Sequence, residues 1–328
     1  MWLTLAVLGY FFLAFSAFLD KYILGGGLPS PKIYCFFAGI VSVLALVIIP
    51  VGILLSLGPF PFLSKIFPDA FEMFFVPDFK MLFLSFFAGI SFLSGLFIYY
   101  KGVYKFEVSR IAPAVGAGVP IFTLLLVWFF TFFPFAAEFQ RRVLTLREYL
   151  ALGFLVAGSV ILSIHREKLA TFQSIKISAI ASFLFSLSFL LTKLVYTFLP
   201  FWTGFIWIRV GVFLGALCLL SFSEVRKGIK KPTEGFAKRI ALPFLLAKTA
   251  GALGGVLQNG AIFLAPLVFL PLINALSGIQ YVFLIILATL LFFKFPEILK
   301  EEISKRVLAQ KTIAVWFIVA GLFLLSLS

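Results

Sequence analysis

The sequence predicts an all-α integral membrane protein of ten transmembrane helices, arranged as two inverted five-helix repeats. Three observations predict it: the composition, the length of the apolar runs, and an internal repeat. Of the 328 residues 62% are hydrophobic and only 12% are charged, about half the charged share with which a soluble domain faces water all round. Apolar runs repeatedly reach the roughly 20 residues that carry a helix across a bilayer. Segments of the second half also restate segments of the first in the same order.

Hydropathy places the spans near 2–23, 32–56, 80–100, 107–132, 146–165, 175–197, 201–222, 241–264, 267–293 and 309–327. The first run has no basic residues before it and ends in Asp20-Lys21-Tyr22 without a small-residue cleavage pattern. It is therefore expected to be a retained span rather than a signal peptide. Residues 57–79 are apolar too, but four prolines and three acids interrupt them. They predict an interfacial loop or short amphipathic helix. The connector 223–240 is basic, and 294–311 predicts another short amphipathic helix.

The repeat rests on three matches. FLVAGSVILSI (154–164) aligns without a gap to FIVAGLFLLSL (317–327), and VGAGVPIFTLLL (115–126) to ALSGIQYVFLII (275–286). DKYIL in the first span and TKLVY in the sixth put Lys21 opposite Lys193. The units implied are 1–168 and 169–328, five spans each. A five-span unit ends on the face opposite its start, so the second copy enters the membrane inverted. Inverted repeats are a common plan for alternating-access carriers, whose solute sits between the halves near mid-bilayer.

A net charge of +14 would suggest nucleic acid in a soluble protein. Here the basic residues lie in connectors, where they set orientation, and no nucleic-acid partner is expected. Nineteen of the 27 Lys and Arg fall in the connectors after spans 1, 3, 5, 7 and 9, and six on the other side. The positive-inside rule then puts those connectors in the cytoplasm and both termini outside, in a plasma (cytoplasmic, inner) membrane. Cys35, Cys218 and His165 show no metal or redox spacing. No metal, no cofactor and no enzymatic activity are expected, since no nucleophile motif or His/Asp/Glu cluster is present.

The repeat, the span count and local motifs together resemble the drug/metabolite transporter superfamily, in particular its ten-helix EamA-type members. The residues that carry the resemblance are SRIAPAVGAGVPIFTLLL (109–126), LTLREYLALGFLVAGSVILS (144–163) and NGAIFLAPLVFLPLINALSGIQYVFLIILATLLFF (259–293). The resemblance implies a cavity lined by spans 3, 4, 8 and 9 and flanked by 1, 2, 6 and 7. It also implies transport of amino acids, metabolites, nucleotide sugars or drugs, often by export or exchange. The chain departs from the family's pattern in two ways. Its loop charges put the termini outside rather than in the cytoplasm, and the connectors 57–79 and 294–311 are long.

Candidate site residues follow from the cost of polarity in lipid. A charge at the bilayer centre costs about 3 kcal/mol on insertion scales, so it marks a functional candidate. Lys248 lies about seven residues into span 8 and Arg209 about eight into span 7. Snorkelling toward the interface is the structural alternative for both. Lys21 and Lys193 sit near the C-terminal ends of their spans, so the same lean carries them inward. Asp20 could pair with a base or carry a coupling proton; an interfacial Asp-Lys is the plain alternative. The polar residues Gln258, Asn259, Asn274 and Gln280 on spans 8 and 9, and Tyr99, Tyr100, Ser109 and Arg110 on spans 3 and 4, complete the set. Buried amides need partners, either another helix or a solute.

Buried cations outnumber buried acids, which favours a solute bearing carboxylate or phosphate. The expected function is secondary transport of a small anionic or zwitterionic solute, such as an amino acid, organic acid or phosphorylated metabolite, with H+ as a candidate coupling ion. The expected partners are membrane lipids and that solute, and the expected state is a monomer or homodimer. A flippase for a lipid-linked sugar or phospholipid is the alternative; a membrane enzyme and a channel fit the residues less well.

Overall fold

The computed structural model describes residues 1–25, 30–57, 75–106, 108–130, 132, 143–163, 172–230, 234–292 and 305–327. The loop 58–74, the connector 293–304 and His165 lie outside the described residues, as do the side chains of Lys21, Ser109 and Arg110.

Every element among the described residues is helical. In chain order they are α1 (Trp2–Gly25), α2 (Pro31–Ile40), α3 (Ile48–Leu57), α4 (Phe79–Lys105), α5 (Val108–Phe130), α6 (Leu146–Ser163) and α7 (Phe172–Phe198). They continue with α8 (Phe201–Cys218), α9 (Ser223–Lys230), α10 (Glu234–Leu264), α11 (Leu270–Ala275), α12 (Ser277–Phe292) and α13 (Lys305–Ser326). A 3-10 segment, Val41–Val47, joins α2 to α3 as one span. Nine helical stretches among the described residues are long and apolar enough to cross a membrane. The stretch expected as the fifth span forms the helix α6, whose first turn carries Arg147 and Glu148; it is not among those nine.

Local chemistry accounts for the helix ends and breaks. Thr145 and Glu148 form a capping box at the start of α6: the Thr145 amide donates to Glu148 Oε2 at 2.7 Å, and the Glu148 amide donates to Thr145 Oγ1 at 3.4 Å. Glu148 is thus hydrogen-bonded where it is fully buried. Pro120 lies inside α5 and removes the bond its amide would give the Gly116 carbonyl. Ser277 Oγ donates to that carbonyl instead, at 3.3 Å. The expected ninth span is discontinuous: a 3-10 turn Leu267–Phe269, then α11, a turn at Leu276, then α12.

Apolar helices in lipid pack by close contact rather than by the hydrophobic effect, so small residues mark the crossings. α4 meets α8 where Gly89 faces Gly211. A Cβ on Gly211 would lie 2.7 Å from Phe86 Cα, and one on Gly89 would overlap the carbonyl of Ile208. α6 meets α13 in a reciprocal contact. A Cβ on Gly158 would lie 2.9 Å from the Ala314 carbonyl and 2.7 Å from Ile318; one on Gly321 would lie 3.0 Å from the Ala151 carbonyl and 2.8 Å from Leu155. Late residues of each helix meet early residues of the other, so the two run antiparallel. The remaining principal pairs are α1 with α10, α4 with α7, α5 with α7, α5 with α6, α1 with α12, α5 with α11 and α2 with α8. Serines support the α5–α7 pair: Ser182 donates to the Val115 carbonyl at 3.2 Å and Ser186 to that of Val119 at 2.8 Å.

Candidate functional site

Helix α10 carries a polar seam. Lys248, Gly255, Asn259 and Ile262 are spaced at i, i+7, i+11 and i+14, which puts them along one face of a helix with 3.6 residues per turn. Each meets a polar or charged group from another helix or, at Asn259, a tyrosine.

At the first position Lys248 Nζ lies 3.0 Å from Asp20 Oδ1 of α1. Tyr34 of α2 donates its hydroxyl to the same carboxylate oxygen, and Lys248 donates to that hydroxyl at 3.1 Å. The ammonium also lies over two rings, 4.7 Å from the centre of Tyr34 and 5.3 Å from that of Phe244. Tyr34 is in turn edge-on to Tyr100 at 4.9 Å, with Tyr99 5.7 Å beyond. Four helices thus close around one ion pair whose side chains are 15% and 18% exposed. Such a pair offsets its own desolvation only while both partners are present.

At the second position stands Arg209 of α8. Its guanidinium carbon is 4.9 Å from the Phe205 ring centre, one turn N-terminal on its own helix, and 5.9 Å from that of Phe92 on α4. Nη2 comes within 2.9 Å of where a Cβ on Gly255 would be. The glycine is therefore what makes room for the cation. Arg209 as a residue is half-buried, and among the described residues its guanidinium has no carboxylate partner within 4 Å and no hydrogen-bond acceptor. The backbone carbonyl of Arg209 accepts from Ser42 Oγ at 3.1 Å, which fixes α8 to the 3-10 segment of the second span.

The remaining two positions are internally satisfied. Tyr196 donates to Asn259 Oδ1 at 2.8 Å, and Asn259 Nδ2 donates to the Gly255 carbonyl at 2.8 Å. Lys193 donates to the carbonyls of Ile262 and Phe263, at 3.0 and 3.1 Å. These lie in the last turn of α10, where carbonyls lack intrahelical donors and the helix dipole is negative. Lys193 thus serves as a cap on α10.

A second polar group surrounds the break between α11 and α12. The interruption frees the Ile273 carbonyl, which accepts from Tyr10 Oη at 2.9 Å; Gln258 Nε2 donates to that hydroxyl at 3.1 Å. Asn274 Nδ2 donates to Thr123 Oγ1 at 2.9 Å, while its Oδ1 is buried without a partner among the described residues. Gln280 Nε2 reaches the Leu13 carbonyl at 3.3 Å. Tyr281 donates to the carbonyl of Ala112.

The structure thus brings Asp20, Lys248, Tyr99 and Tyr100 into one cluster, sets Arg209, Asn259 and Lys193 along the same seam, and puts Gln258, Asn274 and Gln280 beside the broken span. The Lys21 side chain lies outside the described ones. Tyr34, Tyr10 and Tyr196 were not among the expected residues, although a tyrosine in an apolar helix is a polar tip in need of a partner. Among the described residues no group of three His, Cys, Asp or Glu is placed to hold a metal ion.

No protein-family description and no curated protein matches this sequence. Sixteen chains of solved structures do match it. One, a crystal structure of a protein, superposes with a TM-score of 0.60 over 99% of this chain and 96% of its own, at 15% identity. That likeness establishes the fold alone.

Proposed function

We propose that the protein is a secondary transporter, exporter or exchanger, of a small organic anion or zwitterion. The class would include an amino acid, an organic acid or a phosphorylated metabolite. It works by alternating access between two inverted five-span repeats, in the manner of EamA-type drug/metabolite transporters, with no catalysed reaction.

One observation carries this reading: Arg209 stands in a membrane span, flanked by aromatic rings, with no counter-carboxylate among the described residues. A guanidinium presents a planar fork of donors that matches carboxylate or phosphate oxygens two at a time. Phe92 and Phe205 provide apolar walls for the rest of a solute. Asn259 and the polar group at the broken span lie on neighbouring helices, and helix breaks are typical of solute sites in carriers.

The packing supports the repeat. In the alignment of 154–164 with 317–327, Gly158 corresponds to Gly321 and Leu155 to Ile318, and the α6–α13 contact maps onto itself when the two are exchanged. A two-fold axis in the membrane plane produces that kind of contact. The pairs α1–α10 and α4–α7 exchange under the same correspondence, as do α5–α7 and α1–α12.

Asp20, the acid paired with Lys248, is the proposed carrier of a coupling proton. The loop charges orient the chain with both termini outside; a cysteine at Lys230 should label from the cytoplasmic side and one at Ser328 from outside.

The test is a thermal-shift screen of purified protein against amino acids, organic acids and phosphate esters, followed by proteoliposome uptake of any hit. Stabilisation by an anion, lost in Arg209→Gln, is expected. Stabilisation by quaternary ammonium compounds alone would overturn the reading.

A further inference from the structure

We propose that a trough between α4 and α7 binds the headgroup of an anionic phospholipid, at a place separate from the polar seam. The trough has a volume of about 400 Å³ and lies where α4 ends and α7 begins. Lys101 and Lys105, one turn apart on α4, form one rim; Lys176 and Gln173, from the first turns of α7, form the other. Ile98 and Ile177 are part of its apolar floor. Gly102 holds the two helices together beneath it, since a Cβ there would lie 2.9 Å from Ile177 Cγ2.

Three lysines therefore share one recess. All three are exposed, and among the described residues none has a carboxylate or any other hydrogen-bond acceptor. Lys32, elsewhere on the surface, is paired with Glu224 at 3.1 Å. Like charges crowded in this way repel one another until an anion sits between them.

The rest of the lining decides which anion. A free phosphate would favour a polar, enclosed cradle. Here the floor is apolar and the trough opens on the outer wall of a membrane protein, at the level of the span ends. Lysine stems lying along apolar surface with ammonium groups at headgroup depth are suited to a phosphodiester whose chains continue into the bilayer. Loop charge puts this end of the molecule on the cytoplasmic face, where anionic lipids act on basic surfaces. The inference depends on placement in a membrane and not on the transported solute.

The test uses full-length protein in detergent and native mass spectrometry with added phosphatidylglycerol or phosphatidylcholine. Each lysine near an anionic surface is worth about a fivefold change in affinity. The triple variant Lys101→Gln/Lys105→Gln/Lys176→Gln should therefore bind phosphatidylglycerol at least tenfold more weakly, with phosphatidylcholine unchanged. A control with as many charges removed elsewhere, Lys32→Gln/Arg226→Gln/Lys227→Gln, should stay within about twofold of the parent. If the triple variant does not fold, Lys101→Gln alone should weaken binding severalfold. Undiminished binding by the lysine variants would overturn the proposal, as would an equal loss in the control. Displacement of the lipid by millimolar inorganic phosphate would also overturn it, by showing a soluble-phosphate site.

Discussion

Lys248 and Arg209 meet the same helix, α10, at positions seven residues apart, about 10 Å along its axis, yet one arrives with a carboxylate and the other without. Lys248 is matched by Asp20, held by the Tyr34 hydroxyl and covered by two rings. Arg209 has rings on two sides, a glycine beneath, and no anion among the described residues. The cost of a charge in lipid applies to both. At Lys248 the chain itself meets that cost and four helices are tied together. At Arg209 no such partner stands among the described residues, which is what the proposed solute site requires. The first arrangement is a clasp, and the second is the one to which the proposal assigns the solute.

The sharpest test of this contrast removes one member of the clasp. Asp20→Asn or Lys248→Met leaves the other charge uncompensated, and each should destabilise the protein by about 3 kcal/mol or more in thermal or denaturant unfolding. The double variant should recover most of that loss, because the penalty comes from the unpaired charge. At Arg209 the order reverses. Arg209→Gln should leave unfolding within about 1 kcal/mol of the parent while uptake of the identified anion falls on the order of a hundredfold, the scale of a charge-assisted bidentate contact. Arg209→Lys should recover only part of it, since the fork is gone. Were Arg209→Gln as destabilising as Lys248→Met, the distinction between the two cations would collapse.

Smaller effects refine the picture. Gly255→Ala puts a methyl within 2.9 Å of Nη2 and pushes the guanidinium aside, so it should raise the KM for uptake about tenfold with little change in stability. Lys193→Met removes a cap from α10 and should cost about 1 kcal/mol of stability with uptake unchanged. A loss of uptake in that variant would move Lys193 from the helix end into the solute path.

Much of the architecture was legible because lipid imposes simple rules. The apolar runs gave helix positions to within a few residues for most spans, and the charges inside spans pointed to Lys248 and Arg209. Their partners were not legible. Nothing near Tyr34, set in the run IYCFF, points to Asp20 fourteen residues before it or to Lys248 more than two hundred after it. The carbonyls that hold Lys193 are invisible in sequence, because every residue has one and only the end of a helix leaves it unbonded. GALGG reads as a packing face, and Gly251 and Gly254 do meet Ser16 and Leu13. Gly255 differs only because α8 brings an arginine to it. The turn at Leu276 has no proline of its own, so hydropathy passed through it and gave one continuous ninth span.

The antiparallel crossing of α6 and α13 has a mechanical consequence. Two rods pressed together at one point can splay about it. Here there are two such points, one at Gly158 and one at Gly321 against Ala151, about 10 Å apart along α6, so the helices are splinted and tilt as one body. Bulk added at either glycine would pry that splint open rather than bend one helix alone.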